Sequence, residues 1–320
     1  MRTISKRTIS NGLFAATLAV IVVINGCKSE GGGGGFLDNV GKVAGNIGNT
    51  IGGEVGTWFG VAERLSGPAG KALEGGQFND YDEYHLGRAA ASQIIQQYGL
   101  FKDDQATAYL NLIGHTLVEL SNARATYAGY HFAVLNSDEV NAFACPGAYI
   151  FVTRGMLRLC ASEDELAAVL AHEIAHIDKR HALQSIESKR WNDLLVAVGQ
   201  EGARQANAGP LADVGADMAG DVHKTLTTSG YSQKLETEAD KESVRILRAA
   251  GYEPSAMVNV LTKMDQELKT NTGGFGKTHP HTRDRIDVVK REVGNTIPKP
   301  LVRERQARFD RALALSRSKG

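Results

Sequence analysis

The run His172-Glu173-Ile174-Ala175-His176 places two imidazoles and a carboxylate close together in the chain. It follows Glu165-Leu166-Ala167-Ala168-Val169-Leu170-Ala171, good helix formers without Gly or Pro. On a helix, residues four apart lie about 40° apart around the axis, so both rings face the same way. Two imidazoles so placed form a ready bidentate site for zinc. Glu173, beside the first of them, can act as general base toward an attacking water. The pattern is short, and two core histidines on one helix face would produce it equally. Further ligands must therefore be sought elsewhere.

Two His ligands do not close a catalytic zinc site, so a carboxylate or a third His is required. Downstream, Glu236-Thr237-Glu238-Ala239-Asp240 runs into Lys241-Glu242-Ser243-Val244-Arg245-Ile246-Leu247 and reads as a second helix. Glu236 and Asp240 share a face at i,i+4 spacing. One can bind the metal while the other accepts a ring N–H from a metal-bound His and fixes its tautomer. Glu238 points about 200° away from Glu236 and is the weaker ligand candidate. The same carboxylates would also suit the solvated first turn of an acidic helix. His181, five residues past His176, would fall about 140° off the ligand face if the helix continued, so it is not expected to be a ligand.

These two motifs are joined by three others: Thr278-His279-Pro280, Asn141-Ala142-Phe143-Ala144-Cys145-Pro146-Gly147, and Tyr149-Ile150-Phe151-Val152-Thr153-Arg154-Gly155. Together they resemble the HtpX-like and CAAX-prenyl-protease family of zinc metallopeptidases, in its periplasmic lipoprotein branch, from about residue 76 to about residue 295. The resemblance implies one zinc per chain held by His172, His176 and Glu236, with Glu173 as base and Asp240 supporting a ligand ring. It implies that Asn141, Ala142, Phe143 and Ala144 line the substrate cleft. Tyr149 and Ile150 open a strand shortly before the zinc helix. Zincins align an extended polypeptide as an added strand on a sheet edge, a mode with little sequence preference. Ile150 and Val152 also read as ordinary core. Two roles stand open for His279: donor to the oxyanion of the tetrahedral intermediate, or fourth zinc ligand that keeps the enzyme latent.

The elements that must position these residues can be read from periodicity. Helices are expected over Asp82 to Ile95, ended near Gly99, and over Asp103 to Leu120 with Tyr109, Leu112, Ile113, Thr116, Leu117 and Leu120 on one face. Strands are expected over Tyr130 to Leu135 and Tyr149 to Thr153. Ser162-Glu163-Asp164-Glu165 is a capping-box start for the zinc helix. Residues 191 to 228 look helical but broken at Gly209-Pro210 and Gly220, and could cover the cleft. Further helices are expected over Pro254 to Leu268 and Arg303 to Ser316. The expected fold class is α+β, mostly helical, with a zincin-like metalloprotease core and a small sheet beside the His-Glu-x-x-His helix.

The N-terminus reads as a secretory signal. Arg2, Lys6 and Arg7 precede the apolar stretch Leu13 to Ile24, which is too short for a resident membrane helix. Ile24-Asn25-Gly26-Cys27 resembles a bacterial lipobox, which implies lipidation at Cys27 and a stable membrane anchor through the N-terminal lipid. Lys28 favours the outer membrane by resemblance to enterobacterial sorting. The expected organisation is a lipoprotein signal peptide over 1–26, a lipidated, Gly-rich tether over 27–76, a zinc metallopeptidase domain over 77–295, and a C-terminal helical tail over 296–320.

Lys and Arg number 36 against 36 Asp and Glu, and they are scattered. Without a basic stripe interleaved with aromatics, nucleic acid is not expected as a partner. Beyond Cys27, Cys145 and Cys160 either form a disulfide or are two buried small side chains. The sequence thus predicts a zinc metalloendopeptidase, a peptide-bond hydrolase anchored to the cell envelope and facing the periplasm. Its expected substrates are misfolded or unassembled envelope proteins bound in extended form, and an envelope assembly machinery is a candidate partner. The rival is a latent or non-catalytic chaperone or assembly factor on a zincin fold. An intact Glu173 counts against a pure scaffold.

Overall fold

The structure, a computed structural model, describes residues 79–186, 218–268, 274–280, 282–294 and 303–317. The expected signal, Cys27 and the Gly-rich tether lie outside the described residues, as does most of 191–228. Two long helices come first, α1 (Asp80–Tyr98) and α2 (Asp104–Ser121), followed by strands β1 (His131–Leu135), β2 (Ala142–Cys145) and β3 (Tyr149–Thr153). Then come α3 (Arg154–Leu159), α4 (Glu163–Asp178) and the short α5 (His181–Gln184). Past the undescribed stretch, a π-helical turn, Thr225–Ser229, precedes α6 (Gln233–Ala249) and α7 (Ala256–Leu268). The short α8 (Phe275–Thr278), α9 (Thr282–Val293), α10 (Arg303–Ala312) and α11 (Ala314–Arg317) complete the chain. The fold is mostly helical with one small sheet, as the sequence predicts. Among the described residues no helix is long and apolar enough to cross a membrane.

Helix α4 is the centre of the molecule. Every residue from Glu163 to Ile177 is buried, which an amphipathic surface helix does not show. Its N-terminus is capped by Ser162, which accepts from the Glu165 amide at 3.3 Å. Its three first-turn carboxylates are buried yet paired. Glu163 accepts from the hydroxyls of Tyr109 and Tyr252 and from Arg308. Asp164 accepts from Arg305 at 2.7 Å and from the Glu253 amide at 3.0 Å, and Glu165 pairs with Lys263. Pairing and the positive end of the helix dipole together make such burial tolerable. The C-terminal helices thus clamp the start of α4, and Phe309, Ala312 and Leu313 enter the same core cluster as its apolar side chains.

The sheet order is β1-β3-β2, with β3 parallel to β1 and antiparallel to β2. Period-two alternation divides the strands between two core clusters. Ala142, Ala144, Ile150 and Val152 face the α4 side, whereas Phe143, Cys145 and Phe151 face the α1 side. Strand β2 was read in the sequence as a cleft-lining motif rather than as a strand; its four residues are too few, and two of them are Ala.

Three expectations are corrected here. Tyr149 and Ile150 cannot receive an added substrate strand, because both edges of β3 are already paired; the edge strands are β1 and β2. Cys145 and Cys160 are free thiols, since Cys145 points into the α1-side cluster and Cys160 into the α4-side cluster. On α2 the buried stripe is Ala106, Tyr109, Leu110, Ile113, Gly114, Leu117 and Ser121, while Leu112 and Leu120 are exposed. That rotation brings Gly114 against the Phe132 ring on β1.

Gly87 shows how tightly α1 is set on the turn between β2 and β3. A Cβ there would lie 1.7 Å from the Pro146 carbonyl oxygen, backbone against backbone. Gly87→Ala is expected to lower stability by about 2–3 kcal/mol. Gly220→Ala, where a Cβ meets nothing within 4 Å, should be neutral or stabilise by about 0.5–1 kcal/mol. Urea unfolding of the two variants checks both signs.

Candidate metal centre

Helices α4 and α6 pack against each other, and the site forms where they meet. His172 and His176 project from α4, and Glu236 from the first turn of α6, whose N-cap Ser232 accepts from the Leu235 amide. His279 arrives from the C-cap of α8. One ligand atom from each of these four buried residues can be chosen so that all lie within 4.8 Å of one another. His172 Nε2 lies 3.0 Å from His176 Nε2 and 3.4 Å from His279 Nδ1. Glu236 oxygens lie 3.5 Å from His172 Nε2, 3.6 Å from His176 Nε2 and 2.9 Å from His279 Nδ1. A tetrahedron with zinc–ligand bonds of about 2.0–2.1 Å has edges of about 3.3 Å. Three imidazoles and a carboxylate at this spacing fit a metal ion, zinc being the usual choice for such donors.

The surrounding residues fix the rings. Asp240 Oδ1 lies 3.1 Å from His172 Nδ1, placed to orient that ring. Arg285, fully buried on α9, donates to both Asp240 oxygens at 2.8 Å and lies 2.7 Å from Glu236 Oε2. Against the cost of burial, Arg285 holds the pKa of Asp240 down, and with His279 holds that of Glu236 well down. Burial would lower the pKa of His172, but Asp240 and Glu236 outweigh it and raise it to about 9 in the metal-free protein. Burial and the neighbouring His172 push His176 well down, so that ring is neutral.

His176 is supported differently. Its Nδ1 lies 2.9 Å from Nδ1 of His181, whose Nε2 in turn lies 3.5 Å from Glu238. His181 is not in the four-donor cluster, as expected, but its contact with a donor was missed. Helix α4 ends at Asp178, and Arg180 at φ 54° turns the chain back. Helical extrapolation past Asp178 therefore misplaces His181.

Glu173 is fully buried, and burial raises its pKa. Both its oxygens lack a hydrogen-bond partner among the described residues. His279 Nε2 lies 3.8 Å from it. The ring of His279 stacks on Phe275 at 4.0 Å between centroids. Asn141, at the foot of β2, accepts from Thr278 Oγ1 at 3.1 Å, and Val140 O accepts from the Phe275 amide at 2.8 Å. The turn bearing His279 is thus tied to the start of β2. Of the expected site residues, His172, Glu173, His176, Glu236, Asp240 and His279 come together here, and Asn141 joins them through Thr278. Ala142, Phe143 and Ala144 lie on β2, Tyr149 and Ile150 lie on the inner strand, and Cys27 is outside the described residues. Besides His181, the sequence reading missed Arg285 and Tyr231, whose ring stacks on His176 with centroids 4.2 Å apart. The one available signal for Arg285 was its place on the helix just after Thr278-His279-Pro280.

Comparison with known proteins agrees with this geometry. Residues 104–293 match the model of peptidase family M48. The chain is 29% identical over 236 residues to the beta-barrel assembly-enhancing protease of Escherichia coli K12, covering 72% of this chain and 46% of that protein. It is 30% identical over 225 residues to the protein of that name from Yersinia pestis, covering 68% and 45%. It is 28% identical over 226 residues to the mitochondrial metalloendopeptidase OMA1 of Schizosaccharomyces pombe, covering 67% and 63%. The chain spans about half the length of the assembly-enhancing relatives it matches. With that family match over most of the chain, and with a buried His/Glu cluster at its centre, the chain belongs to peptidase family M48.

Proposed function

We propose that this protein is a zinc-dependent endopeptidase of the bacterial envelope, lipid-anchored at Cys27, that His279 holds latent in the state described. His172, His176 and Glu236 would hold the zinc, which would supply Lewis acidity to the scissile carbonyl and to the attacking water. Glu173 takes the proton from that water and returns it to the leaving amine. Asp240 and Arg285 hold His172, and His181 holds His176, so that the ligand rings do not reorient during the reaction. The extended substrate pairs with β2, the edge strand beside α4. Misfolded or unassembled outer-membrane proteins are the substrate class, a reading supported by relatives named as beta-barrel assembly-enhancing proteases.

The observation that carries latency is the double engagement of His279. Its Nδ1 lies among the other donor atoms while its Nε2 faces Glu173 at 3.8 Å. A ring so placed occupies the fourth metal position and crowds the base. Every member of the cluster is also buried. This favours the cap over the oxyanion donor among the two roles open for His279.

Glu173→Gln should keep its metal and lose hydrolysis of a quenched peptide by at least about 10³-fold, as expected for a lost general base. His279→Ala should instead raise basal hydrolysis at equal zinc content. A fall of about 10²–10³ would assign His279 to the oxyanion, and no change would leave it a structural residue.

Zinc binding to the metal-free protein at pH 7 should release about one proton, because His172 is protonated there, with a pKa of about 9. Calorimetry in buffers of different ionisation enthalpy reads that proton directly. The affinity should rise about tenfold per pH unit up to that value. The sign for stability is opposite: the raised pKa of His172 stabilises the metal-free fold below about pH 6.5 and loses that effect as pH rises through about 9.

Metabolic labelling with a fatty-acid analogue tests the anchor. Wild type should be labelled and Cys27→Ser spared; equal labelling would remove lipidation at this position.

A further inference from the structure

Tyr231 is a buried phenol at the metal centre with nothing to bond. Its side chain is almost fully enclosed, and its hydroxyl has no hydrogen-bond partner among the described residues. Buried hydroxyls normally find a partner, because enclosing one without a partner forfeits its hydration with nothing returned. Its ring stacks on His176, with centroids 4.2 Å apart and planes 17° apart. The Tyr231 ring centroid lies 6.0 Å from that of His279, whose Nε2 faces Glu173 at 3.8 Å. A phenol is protonated at ordinary pH and is a donor. Beside it, Glu173 also has both oxygens unpartnered. An unused donor and an unused base thus share one enclosed region.

Arg285 and His279, which could also donate there, are engaged. Arg285 is committed to Asp240, Glu236 and the His279 carbonyl. His279 Nδ1 lies within the donor cluster. Asn141 Nδ2 is a second buried donor without an acceptor, but its Oδ1 is fixed on the α8 side by Thr278. Tyr231 is also held rigidly. Gly230, at φ 71°, turns the chain into it; the Tyr231 amide donates to Thr278 O at 3.2 Å; and the next residue, Ser232, caps α6. The helix start that delivers Glu236 therefore also fixes the phenol.

We infer that Tyr231 is a catalytic residue whose hydroxyl donates a hydrogen bond to the scissile carbonyl oxygen as negative charge develops on it. When water adds to the carbonyl carbon, its proton passes to Glu173 and the carbonyl π-electrons move onto oxygen. The phenol keeps its proton and stabilises that oxygen by donation alone. As the C–N bond breaks, the carbonyl re-forms and Glu173 returns the proton to the leaving amine. The partner missing from Tyr231 is then the reacting substrate, and the hydroxyl is pre-oriented for charge that exists only during reaction.

Tyr231→Phe in the full chain separates this role from a structural one. The comparison is made in whichever of wild type and His279→Ala hydrolyses the quenched peptide faster, so the outcome does not depend on latency. At unchanged zinc content, kcat/KM should fall about 10²–10³-fold, mainly in kcat. A phosphinic peptide, whose tetrahedral phosphorus carries anionic oxygens, should lose affinity by a similar factor. The thermal midpoint of the metal-free protein should stay the same or rise, because an unpaired hydroxyl has been removed. Unchanged hydrolysis and unchanged phosphinic affinity would overturn the assignment. So would a lowered midpoint with zinc lost in proportion to activity, which would make the phenol a packing support for His176.

Discussion

The fully buried guanidinium of Arg285 is what allows this site to exist. Glu236, Asp240 and Glu173 lie in an interior that His172 and His176 share, and isolated carboxylates do not stay ionised in such a place. Arg285 reaches two of them directly, with Asp240 held by two parallel bonds. The geometry suits a guanidinium and not an ammonium, because two donors must meet two oxygens in one plane. With Asp240 fixed, His172 has an oriented ring; with Glu236 kept ionised, a metal has its carboxylate. Glu173, which Arg285 does not touch, is the carboxylate whose pKa rises. One cation thus divides the carboxylates into those that hold and one that can accept a proton.

Around that centre the architecture solves a second problem, the burial of an entire helix. Helix α4 carries the catalytic pattern and is enclosed on all sides, so its polar ends must be satisfied from other parts of the chain. Tyr109 of α2, Tyr252 beyond α6, Lys263 of α7, and Arg305 and Arg308 of α10 meet its first turn. At the other end, Asp178 accepts from the Arg124 amide at 2.8 Å. Rigidity at both ends is what keeps His172 and His176 at the spacing a metal needs, and the small sheet then has only to present β2 beside them.

The predictions for His279 and Tyr231 rest on one segment relation. The turn bearing His279 is bonded to Asn141 and Val140 on the β2 side and to the amide of Tyr231 on the α6 side. Any movement that freed the metal position would loosen its ties to β2 and to the phenol at the same time. The start of β2, His279 and Tyr231 are thereby coupled through a few residues.

Local chemistry made much of this legible in the sequence. The i,i+4 pairs His172/His176 and Glu236/Asp240, the Ser162 cap, and the strands around residues 131 and 149 all depend on neighbours within a turn or two, and such patterns survive in one dimension. What depended on chain crossing was hidden. Residue Arg285 is far from Asp240 in the chain and carries no periodic mark. His181 was misplaced because a single left-handed residue, Arg180, ended the helix on which its position had been extrapolated. Tyr149 and Ile150 form the strand expected of them, but strand order is a tertiary fact, and it put their strand in the middle of the sheet. Cys145 and Cys160 could be weighed as a pair by number alone; only the alternation of β2 sent them to different cores. By itself the sequence picked out the candidate groups that come together and the helices that bear them, because those obey local geometry. Tertiary structure decided which charges meet, which strand is internal and which hydroxyl is left unpaired among the described residues, because each of these depends on long-range packing.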